Sequence, residues 1–143
     1  MWTYCDTSAL AKRYLREPGR AALMRLVAGR RIVSSAVLPL ELHSAFARRV
    51  RNGHLATVAL PRLWERVSDE RRRWTLVTVS PDIVAAAQAL VEHHPLRTLD
   101  AIHVASAQLF ASRMKVDLVF VSADERQCDA ASSLGLTVRR VAA

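Results

Sequence analysis

The sequence predicts an α/β fold, a three-layer α/β/α sandwich around a mainly parallel sheet of about five strands. Short apolar segments, each suited to one buried strand, alternate along the chain with segments of helical periodicity. This alternation is typical of a parallel sheet that is covered by helices on both faces. With 143 residues, 51% of them hydrophobic, the chain is long enough for one domain with a substantial core. We therefore expect a single domain over residues 1–143.

The predicted strands are apolar, aromatic or β-branched in composition. In chain order they are residues 1–5, 31–34, 74–79, 117–122 and 136–139. The predicted helices have apolar residues at spacings of three and four. They are residues 8–15, 20–28, 35–53, 55–73, 82–92, 98–110 and 124–134. The helix at 98–110 is small and apolar around almost its whole circumference, which indicates that it is buried in the domain.

Capping and helix-breaking residues set the ends of these helices. Gly29, Gly53 and Gly135 each follow a helical segment, where glycine commonly ends a helix. Ser35 can cap the long third helix. Pro39 is tolerated in the first turn of that helix, because the backbone donors there have no intrahelical partner.

Charge is distributed unevenly along the chain. The formal net charge is +8, and residues 1–73 hold 15 Lys and Arg against 6 acids, while residues 74–143 hold 6 against 7. A basic surface of this kind favours a polyanionic partner, nucleic acid before membrane. The run Arg71 to Arg73 could contact phosphates, or it could be an ordinary solvated face.

Cysteine and histidine usage indicates neither a disulfide framework nor a zinc site. Cys5 and Cys128 are far apart in the sequence, so we expect both to be reduced core residues. His93 and His94 are adjacent and have no fixed ligand geometry, so we expect them to mark a loop. No signal peptide and no membrane-spanning segment are visible, which predicts a cytoplasmic protein without a membrane partner.

Acidic residues recur where a ligand site would be expected. Asp6 ends the first strand and Asp124 follows the fourth, while Glu41 lies in the apolar stripe of its helix and Asp100 lies in the first turn of the buried helix. Ordinary structural roles remain open for them: Asp6 can cap the next helix, Glu41 can reach solvent from the edge of its stripe, and Asp100 can stabilise the helix dipole.

The predicted topology brings these acids together. If the first strand is central, the first and fourth strands are neighbours at the point where the strand order of the sheet reverses. In open α/β sheets, ligands bind at the carboxyl ends of the strands beside that point. Clustered carboxylates raise one another's pKa, and a divalent cation would compensate their charge. Oxygen ligands prefer Mg²⁺ or Mn²⁺, which promote phosphodiester hydrolysis. We therefore expect metal-dependent cleavage of a nucleic acid.

In order and spacing, four motifs resemble those of the PIN-domain ribonucleases, and the chain length is most similar to that of the VapC toxins of toxin–antitoxin pairs. The motifs are Asp6-Thr7-Ser8-Ala9-Leu10, Glu41-Leu42, Leu99-Asp100-Ala101-Ile102-His103-Val104-Ala105-Ser106-Ala107 and Ser122-Ala123-Asp124. The resemblance implies that Asp6, Glu41, Asp100 and Asp124 are the catalytic, metal-binding acids. It implies Mg²⁺ or Mn²⁺ as cofactor and hydrogen-bonding support from Thr7, Ser8 and Ser122. The family usually has threonine where this chain has Ser122, and serine keeps the hydroxyl.

The resemblance also implies partners: an RNA substrate, with tRNA or another structured RNA included, a cognate antitoxin protein and a second copy of the chain in a homodimer. His103 is expected to support the site or to be a satisfied core residue, not a direct metal ligand. A receiver-like signalling domain is disfavoured, because the third strand ends in Val79-Ser80-Pro81 where that class needs an acceptor aspartate. A non-catalytic RNA-binding or scaffold domain of the same fold remains the alternative.

Overall fold

A computed structural model describes residues 1–143 and contains one parallel sheet. Its strands are β1 (Trp2–Cys5), β2 (Arg31–Ser35), β3 (Thr75–Val77), β4 (Leu118–Ser122) and β5 (Thr137–Arg140). Their order is β3-β2-β1-β4-β5, and every neighbouring pair is parallel. The first strand is therefore central and adjacent to the fourth, as the sequence predicted.

The helices are α1 (Thr7–Leu10), α2 (Arg20–Val27), α3 (Leu38–Arg51), α4 (Leu60–Arg71), α5 (Pro81–His93), α6 (Thr98–Met114) and α7 (Glu125–Ser133). A 3₁₀ turn at Ala11–Arg13 continues α1, and another at Thr57–Ala59 precedes α4. None of these helices is both long and apolar enough to cross a bilayer.

Two apolar clusters lie on opposite faces of the sheet. One packs α1 to α4 against side chains such as Cys5 and Val121, and the other packs α5 to α7 against Tyr4 and Phe120. Side chains alternate between the faces along each strand, which places Tyr4 and Cys5 in different clusters. This arrangement confirms the three-layer α/β/α prediction. Both cysteines are free and buried, as expected.

Four helices differ from the sequence prediction by several residues at their ends. One of them is α6, which continues to Met114, beyond the predicted range 98–110. The helix expected over 8–15 is a single α-helical turn followed by a 3₁₀ turn. Ser35 does not cap α3: it ends β2, its hydroxyl accepts a hydrogen bond from the Val37 amide at 3.3 Å, and α3 begins at Leu38. The fourth helix begins at Leu60, because Pro61 has no amide hydrogen and therefore fits only the first turn.

The carboxyl edge of the sheet positions the acids. Cys5 and Val121 are paired in register, and the Asp6 amide donates to the Val121 carbonyl at 3.2 Å. The ends of β1 and β4 are thus held side by side. Because α1 and α7 start directly after these strands, their N-termini face the same edge.

Candidate active site

An open groove of about 1000 Å³ lies at this edge of the sheet. The structure brings all four predicted acids to its wall, together with two of the predicted supporting hydroxyls and His103. The predicted site residues in the wall, together with His103 and Gln127, are Asp6, Thr7, Ser8, Glu41, Asp100 and Asp124. A fifth acid, Glu17, also lines the groove.

Asp6 is the most buried of the acids, with 1% of its surface exposed. Its carboxylate accepts hydrogen bonds from the Ser8 and Ser122 hydroxyls, each at 2.8 Å, and from the Ala9 amide at 2.9 Å. No Lys or Arg pairs with it. Burial raises the pKa of the Asp6 carboxyl above its ordinary value, and the hydrogen bonds from Ala9, Ser122 and Ser8 only partly oppose the shift.

Glu41 is held by a chain of polar groups that runs into the core. Its Oε1 accepts from the Thr7 hydroxyl at 2.8 Å and lies 2.6 Å from His103 Nε2, and His103 Nδ1 lies 2.8 Å from the Tyr4 hydroxyl. Burial raises the pKa of Tyr4, so its hydroxyl stays protonated. A carboxylate only accepts, so Nε2 carries the proton toward Glu41, and Nδ1 of a neutral ring accepts from Tyr4. Glu41 is therefore a fixed wall residue, not one that reaches away into solvent.

Asp100 caps its helix with one carboxylate oxygen and contacts another groove residue with the other. Its Oδ2 accepts from the Arg97 amide at 3.2 Å and so caps α6, while its Oδ1 accepts from the Gln127 side-chain amide at 2.9 Å. Gln127 is buried, and its Oε1 has no hydrogen-bond partner. The amide nitrogen of Gln127 thus holds Asp100, while its oxygen is enclosed by the protein.

Asp124 caps α7. Its Oδ1 accepts from the amides of Arg126 at 2.8 Å and Gln127 at 3.2 Å. Its own amide donates to the Ser122 hydroxyl at 3.0 Å, and that hydroxyl donates in turn to Asp6. Ser122 thus connects the two acids that follow β1 and β4.

The donor set suits Mg²⁺ or Mn²⁺, since the four predicted carboxylates are hard oxygen ligands. No three Asp, Glu, His or Cys side chains are clustered closely enough to hold an ion as they stand. Both carboxylate oxygens of Asp6 and both of Asp100 already accept hydrogen bonds from the protein, so a cation would share these oxygens with those donors. His93 and His94 lie far from this wall, at the end of α5.

Cationic side chains line the same groove, and sequence reasoning did not identify them: Lys12, Arg48, Arg49 and Arg97. The run Arg71 to Arg73, which the sequence suggested, is exposed at the end of α4 and does not line the groove.

Sequence reasoning also missed two buried polar partners. Tyr4 lies in an apolar strand, where nothing local reveals that its hydroxyl meets a histidine 99 residues away. Gln127 did leave a signal, because it is a polar residue on the apolar side of α7, beside Cys128 and one helical turn before Ala130 and Ala131.

Comparison with known proteins places the chain in a family. The PIN-domain family model matches residues 3–132. The chain is 36% identical to Ribonuclease VapC46 of Mycobacterium tuberculosis in an alignment of 143 positions, which covers 94% of each protein. Solved structures with a similar fold include FitAcB from Neisseria gonorrhoeae, with a TM-score of 0.61, 13% identity and 95% of each chain covered. A toxin-antitoxin complex from Klebsiella pneumoniae gives a TM-score of 0.57 at 18% identity, with 87% of this chain and 88% of that chain covered. The chain belongs to the PIN-domain family.

Proposed function

We propose that this chain is a Mg²⁺- or Mn²⁺-dependent endoribonuclease that acts as the toxin of a toxin–antitoxin pair. The observation that supports it best is the environment of Asp6. A carboxylate that is 1% exposed, lacks a Lys or Arg partner and lies at the carboxyl edge of the two central strands needs a compensating charge. A divalent cation at the groove would supply it. The 36% identity to a ribonuclease over nearly the whole chain supports RNA as the substrate.

In this proposal the carboxylates of Asp6, Glu41, Asp100 and Asp124 would hold the cation. When bound, the cation polarises the phosphate and lowers the pKa of water, so that hydrolysis proceeds at neutral pH. The remaining residues keep the ligands in place. Ser8 and Ser122 orient Asp6, Thr7 and His103 orient Glu41, and Gln127 orients Asp100.

The partners proposed from the family are RNA, an antitoxin protein and a second copy of the chain. The cations of the groove wall support the first of these, because they lie beside the acids and can contact a phosphate backbone. An antitoxin that covers the groove would block the RNA at the same place.

Incubation of the purified chain with RNA in Mg²⁺, in Mn²⁺ and in excess chelator tests the proposal. We expect cleavage with either metal and none in chelator. Asp100→Asn is the control for a contaminating nuclease, because it should remove the activity while Asn still accepts the Arg97 amide as a cap. Undiminished cleavage in chelator would contradict the metal requirement.

The alternative, a non-catalytic RNA-binding or scaffold domain, has one observation in its favour: no three acids are clustered to hold an ion as they stand. The two functions differ in whether RNA is consumed. A chain that binds RNA with measurable affinity and leaves it intact in Mg²⁺ and in Mn²⁺ would establish the alternative.

A further inference from the structure

Lys12 is a buried cation in the groove wall. It lies in the 3₁₀ turn after α1, and only 2% of its surface is exposed. Its ammonium makes no hydrogen bond within the protein, and its ionic partner, Glu17 Oε1, is 3.9 Å away. An ammonium has three donors, and the protein supplies no hydrogen-bond acceptor for this one, so an acceptor that enters the groove can bind it.

A glycine lies against the side chain of this lysine. Gly19 has a φ of +87°, and a Cβ at that position would lie 3.3 Å from Lys12 Cδ and 2.8 Å from the Ala142 carbonyl oxygen. The bare glycine therefore lets the lysine stem lie flat against the chain.

Glu17 is shared between two groove cations. Its Oε2 accepts from Arg49 Nη2 at 2.6 Å, while Lys12 lies at the longer distance from its Oε1. Lys12, Arg49 and Glu17 all line the groove that contains the four acids. The three side chains together have a net charge of +1. Glu17 makes a closer contact with Arg49 than with Lys12.

We propose that Lys12 and Arg49 form a subsite for a backbone phosphate of RNA, next to the phosphate that is cleaved at the acids. The subsite rests on the ribonuclease function proposed above and adds where the substrate strand is held. A phosphate oxygen supplies the acceptor that Lys12 lacks, and Arg49 contacts the same phosphate from its place beside Glu17. A strand that presents one phosphate to the acids can present its neighbour to these cations in the same groove.

The test uses Lys12→Met, which keeps the buried stem and removes the charge. Its matched control is Arg71→Met, which removes an exposed positive charge outside the groove. Binding of a short fluorescein-labelled single-stranded RNA is measured by anisotropy in chelator, where no cleavage occurs, at several salt concentrations. We expect Lys12→Met to weaken binding about tenfold and to reduce the slope of log affinity against log salt by about 0.7, the value for one phosphate contact on a single strand. Arg71→Met should leave the slope unchanged.

A second pair of variants changes the charge in the opposite direction. Glu17→Gln frees both cations, so it should tighten RNA binding, whereas Glu65→Gln on the exposed face of α4 should not. In Mg²⁺, Lys12→Met should raise KM much more than it lowers kcat, because the subsite holds the strand without touching the reacting atoms.

The outcomes separate the two proposals. Suppose that the wild-type protein binds RNA. If Lys12→Met then has the same RNA affinity and salt slope as Arg71→Met, or Glu17→Gln has the same affinity as Glu65→Gln, the subsite is wrong and the nuclease proposal is unaffected. Wild-type protein that neither binds nor cleaves RNA overturns the ribonuclease function itself.

Discussion

The turn between β1 and α1 and the turn between β4 and α7 share one local design. Each places an aspartate after a central strand, and each aspartate caps the next helix: Asp6 accepts the Ala9 amide at 2.9 Å, and Asp124 accepts the Arg126 amide at 2.8 Å. Their surroundings differ. Asp6 is buried under two serine hydroxyls, whereas Asp124 is half-buried and bonded only to backbone amides.

Capping alone does not explain this difference. A cap needs one or two backbone amides, and both turns provide them. The extra donors around Asp6 and its burial exceed what a cap requires, because burying a charge costs free energy that hydrogen bonds to amides alone would not justify.

The largest effect is expected from Asp6→Asn. If Asp6 is the central cation ligand, the substitution should lower kcat/KM for RNA by about 100-fold or more. Removal of one group that stabilises charge in the transition state typically has an effect of this size. The measurement is RNA cleavage in Mg²⁺. Activity within a few-fold of wild type would mean that Asp6 is a cap alone.

The same variant should have a pH-dependent effect on the stability of metal-free protein. Burial raises the folded-state pKa of Asp6, so the folded protein binds its proton more tightly than the unfolded chain does. This contribution to stability is complete below the unfolded pKa of about 4 and is lost as pH rises through the folded pKa.

Asp6→Asn lacks that titration. Thermal melts without metal should therefore show wild type losing stability relative to Asp6→Asn as pH rises from about 4 to neutral. At neutral pH added Mg²⁺ should stabilise wild type more than the variant. Parallel melting curves across this pH range would contradict a buried, ionising Asp6.

The link between the two turns is tested by Ser122→Ala. The substitution removes the donor to Asp6 and leaves the Asp124 amide without its acceptor. Loss of a residue that orients a metal ligand typically costs about tenfold or more in metal affinity. We expect that loss in a Mn²⁺ titration and recovery in Ser122→Thr, which restores the hydroxyl. Equal Mn²⁺ affinity in Ser122→Ala and wild type would show that the link is dispensable.

The fold and the positions of the acids could be predicted from the sequence, whereas the side-chain contacts around the acids could not. Short apolar strands in alternation with helices predicted the sheet, its layers and the adjacency of β1 and β4, because these follow from hydrophobic pattern and chain connection. The sequence also singled out four of the five acids that line the groove, all except Glu17. His103 contacts Tyr4, and Asp100 contacts Gln127, in each case across a long separation in the sequence. No local sequence pattern shows which of these side chains meet.

The smallest effect is expected at the more exposed turn, where Asp124→Ala and Asp124→Asn separate the cap from the ligand. Asparagine caps about as well as aspartate, and alanine loses about 1 kcal/mol. Because Asp124 accepts two backbone amides of α7, Asp124→Ala should be less stable than wild type by roughly that amount in urea unfolding, while Asp124→Asn should be nearly neutral. Asp129→Ala is the matched control, since Asp129 is an exposed acid on the same helix without a side-chain hydrogen bond. The activity of the stable Asp124→Asn protein then decides the role. Reduced cleavage with unchanged stability indicates that the carboxylate contacts the cation, and wild-type cleavage would mean that only the Asp6 turn contributes to the chemistry.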